Sequence, residues 1–124
     1  MSLLTITCRD AATGPVLEIS GGLDHASAPQ LRRALDQLTL ATGQLLVLDL
    51  ARLEFCDSSG ITAMLAARNL AIEQGATIAL ANIPQNTARI LRILGLDQVF
   101  TPHPDTSSAA SLRQHTRGLH SHIA

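Results

Sequence analysis

The sequence predicts an α/β layered domain: a mixed sheet, an antiparallel N-terminal hairpin and then parallel strands, packed against helices. Three observations predict it. Two short apolar segments come first, separated by the turn-forming Thr13-Gly14-Pro15. From Ser27 onward, segments of helical period alternate with short apolar runs, and such alternation implies right-handed crossovers and parallel pairing. The 124 residues, 46% of them hydrophobic, suffice for one domain with one modest core. The domain is expected over residues 1–115, with 116–124 as a flexible C-terminal tail.

Leu3 to Cys8 alternates, with Leu4, Ile6 and Cys8 on one side and Thr5 and Thr7 on the other, as a half-buried strand does. Arg9 to Pro15 reads as a turn. Val16 to Ser20 is the second strand, broken by Gly21-Gly22. Ser27 is a good helix N-cap and Pro29 fits the first turn. Leu31, Ala34, Leu35 and Leu38 then recur at helical spacing opposite Arg32, Arg33, Asp36 and Gln37, predicting an amphipathic helix that ends near Thr42-Gly43. Leu45 to Leu50 is almost wholly apolar, which fits a central strand covered on both faces or nearly so.

A long Ala/Leu/Ile helix follows, with Ile61, Met64, Leu65 and Ile72 expected toward the sheet, Arg68, Asn69 and Glu73 in water, and Gly75 ending it. Thr77 to Ala81 is the next strand and Asn82-Ile83-Pro84 a turn. Thr87 to Leu94 is a short helix stopped by Gly95. A short strand is expected at Asp97 to Phe100, broken by Thr101-Pro102-His103-Pro104, and a last helix at Asp105 to Gln114. In the tail, His120 and His122 have no companion ligands, so no metal site is expected there.

Composition removes several function classes. Net charge is -1, so there is no bulk attraction to nucleic acid or an anionic membrane. Phe55 and Phe100 are the only aromatic residues, which argues against single-strand binding by base stacking. No apolar run reaches the length of a membrane span, and the first residues lack the basic start and apolar stretch of a secretory leader. Cys8 and Cys56 stand alone, without metal-ligand spacing, and a disulfide between them is not expected in a cytoplasmic chain.

The chain is organised around Leu53-Glu54-Phe55-Cys56-Asp57-Ser58-Ser59-Gly60. Asp and Ser side chains accept from the unpaired first-turn N–H groups of a helix, so Asp57 to Gly60 reads as a polar turn opening the long helix. The turn presents its hydroxyls at the positive end of that helix. Read from the residues alone, it is a helix cap, an enzymatic nucleophile or a modifiable contact surface. A catalytic triad could be sketched from Ser58, His25 and Asp57 or Asp24. The nucleophile-elbow pattern is absent, however, and spacing alone does not establish a triad.

Asp57-Ser58-Ser59-Gly60 followed by Ile61 and a helix resembles the STAS domain, and more narrowly the bacterial anti-sigma factor antagonists. Gly21-Gly22-Leu23-Asp24 with Ser27-Ala28-Pro29-Gln30-Leu31 is similar to the family's Gly-Glu-Leu-Asp and Ser/Thr-Ala-Pro-x-Leu. Ala88 to Leu96 is similar to its third helix with Gly-Leu at the end. Order and spacing agree over roughly residues 3–112. One departure is Gly22, where the family usually has Glu, which puts that carboxylate's contact in doubt.

The resemblance implies that Ser58 is phosphorylated by a partner anti-sigma factor that is also a serine protein kinase. The unmodified form would bind that partner and free the sigma factor, and a PP2C-type phosphatase would reverse the mark. It implies a partner surface of Asp24, His25, Ser27, Asp57, Ser59 and Gly60, with no catalytic residues, cofactor or metal. Direct nucleic-acid or membrane binding is not expected, and the chain would be a cytoplasmic monomer or weak dimer. The other class the resemblance allows is a STAS scaffold, never phosphorylated, in a transport or signalling complex.

Overall fold

The structure is a computed structural model and describes residues 3–103. Strands β1 (Thr5–Ala11) and β2 (Gly14–Leu23) precede helix α1 (Ala28–Asp36). Strand β3 (Leu45–Cys56), helix α2 (Ser58–Glu73), strand β4 (Thr77–Ala81), helix α3 (Gln85–Ile93) and strand β5 (Thr101–His103) follow. They form a five-stranded sheet in the order β1-β2-β3-β4-β5. The first pair is antiparallel and the other three are parallel. The expected mixed α/β architecture is therefore the observed one. The helix expected at 105–114 and the tail at 116–124 lie outside the described residues.

Because each crossover steps one strand further in the same direction, same-handed crossovers place the helices on one face. The core agrees. Ala28, Leu31 and Leu35 of α1, Met64 and Ala67 of α2 and Leu91 of α3 join Leu17, Ile19, Leu46, Leu48, Leu50 and Leu80 of the sheet in one cluster. On the other face Val16, Leu45, Val47, Ala79 and Ala81 form a smaller buried cluster without a helix residue. Leu45 and Val47 on one face and Leu46 and Leu48 on the other give β3 the two-sided burial expected of an apolar run.

Several boundaries differ from the sequence reading. The hairpin turn shrinks to Ala12-Thr13, because Ala11 pairs with Gly14 and the strands run up to them. Gly14, at φ +148°, lies where a Cβ would collide with the Leu45 carbonyl oxygen, so the chain crosses there only because no side chain is present. Cys8 is exposed, on the strand that forms one edge of the sheet. Gly21-Gly22 does not end β2, which continues to Leu23. Helix α1 stops at Asp36, well short of Thr42. The segment after it is held instead by the Gln74 side-chain oxygen, which accepts the Leu40 N–H at 2.6 Å, and by the Gly75 carbonyl, which accepts the Gly43 N–H.

Helix α2 has no strong apolar stripe to read, and packing selects its small residues. Gly60, Ala63, Ala67 and Ala71 are buried with Ile61 and Met64, Leu65 is half-buried, and Ile72 is 50% exposed instead of facing the sheet. Gly75 and Gly95 close α2 and α3 as expected. In each, the residue after the glycine donates five residues back (Ala76 to Ala71, Leu96 to Leu91) and the glycine donates three back, the Schellman pattern. The expected strand at Asp97–Phe100 is instead a turn with Phe100 buried, and β5 falls on Thr101–His103, the segment read as a breaker. Pro102 lacks a ladder N–H, and an edge strand tolerates that loss.

Candidate functional site

The site begins with the way β3 ends. Glu18 pairs with Asp49 and Ser20 with Arg52, so β3 carries one residue more than β2 there. It gains another between the Gly21–Leu53 and Gly22–Phe55 pairs. These two bulges convert the inward period from two to three: Leu46, Leu48 and Leu50 face the main core, then Leu53, then Cys56. Asp49 supports the first bulge, where its Oδ1 accepts the Ala51 N–H at 3.1 Å and the Asn82 side-chain N–H at 3.0 Å. The strand thus reaches Asp57 with Cys56 buried beneath it and Phe55 47% exposed beside it.

Asp57 turns the chain into α2. Its backbone is extended, its N–H donates to the Leu23 carbonyl at 3.2 Å, and its Oδ1 accepts the Gly60 N–H at 3.1 Å. The cap expected from the sequence is present, and Asp57 provides it. Ser58 and Ser59 are the first two helical residues. Ser58 is exposed, and its hydroxyl is hydrogen-bonded to no other described residue. The Ser58 carbonyl accepts the Thr62 hydroxyl at 2.9 Å. Ser59 is half-buried and lines a cavity of about 320 Å³ with His25, Ala28, Pro29, Arg32 and Thr62. Gly60 is buried against the end of β2, where a Cβ would stand 2.7 Å from Cys56 Sγ and 2.8 Å from the Leu23 carbonyl oxygen.

The Asp24–Ser27 loop closes on itself. Asp24 Oδ1 accepts the Ser27 N–H at 3.0 Å, and the Ser27 oxygen accepts the Asp24 N–H at 2.9 Å. The single Ser27 hydroxyl proton has two acceptors in reach, the Gly22 carbonyl at 2.8 Å and Asp24 Oδ1 at 3.0 Å. Ser27 therefore occupies the N-cap position of α1 but turns its hydroxyl backward, and no side chain caps that helix. The Ser27 N–H, and then its hydroxyl, hold the Asp24 carboxyl below its ordinary value of 3.8. His25 is exposed at the rim of the cavity that Ser59 lines.

The loops meet because Leu23, at the end of β2, accepts from Asp57, at the end of β3, and parallel strands put both C-terminal ends on one sheet edge. The triad is not assembled. Asp24 is committed to Ser27, Asp57 to Gly60, and His25 is bonded to neither carboxylate nor to Ser58. Burial, and after it the Asp57 charge, pushes the Cys56 thiol up to about 12, which keeps it protonated and unreactive. No group of three or more potential metal ligands occurs among the described residues, and none of their helices is long and apolar enough to cross a membrane. Strict alternation from Leu46 would turn Arg52 and Glu54 inward; the bulges put Leu53 there instead and leave both charged residues exposed.

An antiparallel hairpin leading into three parallel strands, helices on one face and an Asp-capped Ser-Ser-Gly turn at the strand ends define a STAS-type domain. A family model described as "Mlab, STAS domain" matches residues 6–102, and the chain belongs to that family. The anti-sigma-F factor antagonist RsfB of Mycobacterium tuberculosis is 31% identical to it over 97 residues, spanning 78% of this chain and 79% of that protein. An anti-sigma factor antagonist from Mycobacterium paratuberculosis superposes with a TM-score of 0.79 at 24% identity, over 90% of this chain and 95% of that one. The anti-sigma factor antagonist SpoIIAA, solved in its unphosphorylated form, gives a TM-score of 0.68 at 20% identity, over 89% and 97% of the two chains. Its phosphorylated form, from Bacillus, gives 0.65 at 17%, over 87% and 99%. At those identities the structures establish the fold.

Proposed function

We propose that this chain is an anti-sigma factor antagonist whose unphosphorylated form binds an anti-sigma factor that is also a serine kinase, releasing the sigma factor. Phosphorylation of Ser58 switches binding off, and a PP2C-type phosphatase restores it. The chain has no catalysis of its own and works in the cytoplasm as a monomer or weak dimer.

The observation that carries this reading is the environment of Ser58: an exposed, unengaged hydroxyl on the first residue of α2, beside a loop that reaches it through the Leu23–Asp57 bond. The names of the relatives, and the two phosphorylation states in which SpoIIAA was solved, support the same reading. Ser58 is favoured over Ser59 because Ser59 is half-buried in the groove, and adjacent helical residues point about 100° apart. A phosphate at a helix N-terminus is compatible with the dipole and free N–H groups, so it leaves the fold intact. It adds about -1.5 to -2 charge beside Asp57. An interface that loses about 3 kcal/mol to that charge binds more than a hundredfold more weakly.

The test uses the kinase recovered with the unmodified chain from its native cell. With ATP, it should phosphorylate the wild type at one site and leave Ser58→Ala unmodified, while Ser58→Ala retains binding. Ser58→Asp should fold normally and bind poorly. Full phosphorylation of Ser58→Ala, or unfolding of Ser58→Asp at a temperature low enough to explain its lost binding, contradicts the proposal. A scaffold in a transport or signalling complex would take no phosphate and would bind equally well as Ser58→Asp.

A further inference from the structure

Helices α1 and α2 leave a groove between them that starts at the Ser58 turn. Its upper cavity, of about 320 Å³, has His25, Arg32, Ser59 and Thr62 on its walls. A second cavity of about 370 Å³ continues it down the helices, past Asp36 of α1 and Asn69 and Glu73 of α2. Arg32 borders both cavities. The floor is apolar, made by Ala28 above and by Leu35 and Leu70 below.

The charges along this groove are ordered. Arg32 lies toward the serine turn, and the carboxylates of Asp36 and Glu73 lie at the far end. Arg32 and Asp36 are four residues apart on one helix, a spacing at which they can pair, yet they do not. None of Arg32, Asp36 and Glu73 is paired with another described residue. Between two packed helices, an apolar floor edged by charge of one sign above and the other below suits an amphipathic helix of opposite polarity.

We infer that this groove is the second half of the partner surface. Its occupant is a helix of the same anti-sigma kinase, with a carboxylate opposite Arg32 and a basic side chain opposite Asp36 and Glu73. This rests on the function proposed above. It explains how a partner can recognise this chain along a whole helix pair while Ser58 alone carries the switch. The phosphate would act at one end of a longer contact, and the groove would select which kinase fits.

The probe is the kinase that phosphorylates Ser58 of the full chain, with affinity measured at low and moderate salt. Arg32→Glu should weaken binding about tenfold or more and flatten its salt dependence, as loss of one well-placed pair does. Asp36→Lys combined with Glu73→Lys should do the same, with thermal midpoints near wild type because all three positions are exposed. A photo-cross-linker carried at Asn69 should label the kinase, and the same probe at Thr7, on the far edge strand, should not.

Affinities within twofold of wild type for both charge reversals overturn the inference. So does labelling from Asn69 that is absent or goes to a second copy of this chain. These outcomes are separable from failure of the functional reading. If Ser58→Asp binds like wild type, the switch is wrong. If Ser58→Asp binds poorly while the reversals bind normally, only the groove is wrong.

Discussion

Replacing Gly60 by alanine should destabilise the domain, although alanine is the better helix former. On an isolated helix the exchange would gain about 1 kcal/mol. Here the added Cβ would lie 2.7 Å from Cys56 Sγ, 2.8 Å from the Leu23 carbonyl oxygen and 2.9 Å from Leu23 Cγ. An ordinary carbon–oxygen approach is about 3.3 Å or more, so several tenths of an ångström must be found. The carbonyl cannot easily retreat, because it accepts the Asp57 N–H. Cys56 and Leu23 are both buried and have no free side to move toward. Overpacking of this kind costs about 1–3 kcal/mol, and loosening the Leu23–Asp57 bond adds about 1 kcal/mol. Set against the propensity gain, the net loss is about 1–3 kcal/mol. For a domain of this size that lowers the thermal midpoint by about 4–12 °C. Calorimetry or a circular dichroism melt reads this directly. A midpoint unchanged or raised in Gly60→Ala would show that the end of α2 does not press on β2 as described, and the joining of the two loops would lose its support.

Other perturbations probe neighbouring parts of the site. Asp57→Ala removes the α2 cap and should cost about 1 kcal/mol, seen as a small drop in thermal midpoint, while Asp57→Asn should recover most of it because the amide oxygen still accepts. The Asp24 carboxyl is depressed below 3.8, so its contribution to the loop is present above that value and is lost as pH falls through the folded one. The midpoint of the Ser27 amide shift in an NMR titration should therefore lie below 3.8, and a midpoint at or above it contradicts the Asp24–Ser27 bond. Leu48→Ala, at a fully buried position of the central strand, should cost about 2–5 kcal/mol in denaturant unfolding. Asp49→Ala strips the first bulge of two bonds and should loosen Ala51 in hydrogen exchange before it affects distant strands.

The element order follows from local rules that any stretch of this chain obeys. Leu45 to Leu50 is a short, almost wholly apolar run bounded by turn signals, and that length and those flanks read as a buried strand. Gly75 and Gly95 stop helices because they adopt positive φ, and Asp57 starts one because its carboxylate reaches a first-turn N–H. The Ser58 turn was legible for the same reason: a cap, two hydroxyls and a glycine interact within four residues. Tertiary structure decided what depends on partners distant in sequence. The two bulges in β3 exist only in register with β2, and they set Leu53 inward and Arg52 and Glu54 outward, the reverse of what alternation from Leu46 gives. Ile72 is exposed because α2 packs through Gly60, Ala63, Ala67 and Ala71, whose small size allows close approach but whose lack of bulk leaves no periodic signal in the sequence. Strand β5 lies at Thr101–His103 because the edge beside β4 was open and an edge position tolerates Pro102. The groove between α1 and α2 is likewise a product of packing, since Arg32 and Glu73 become neighbours only when two helices, far apart along the chain, come together on one face of the sheet.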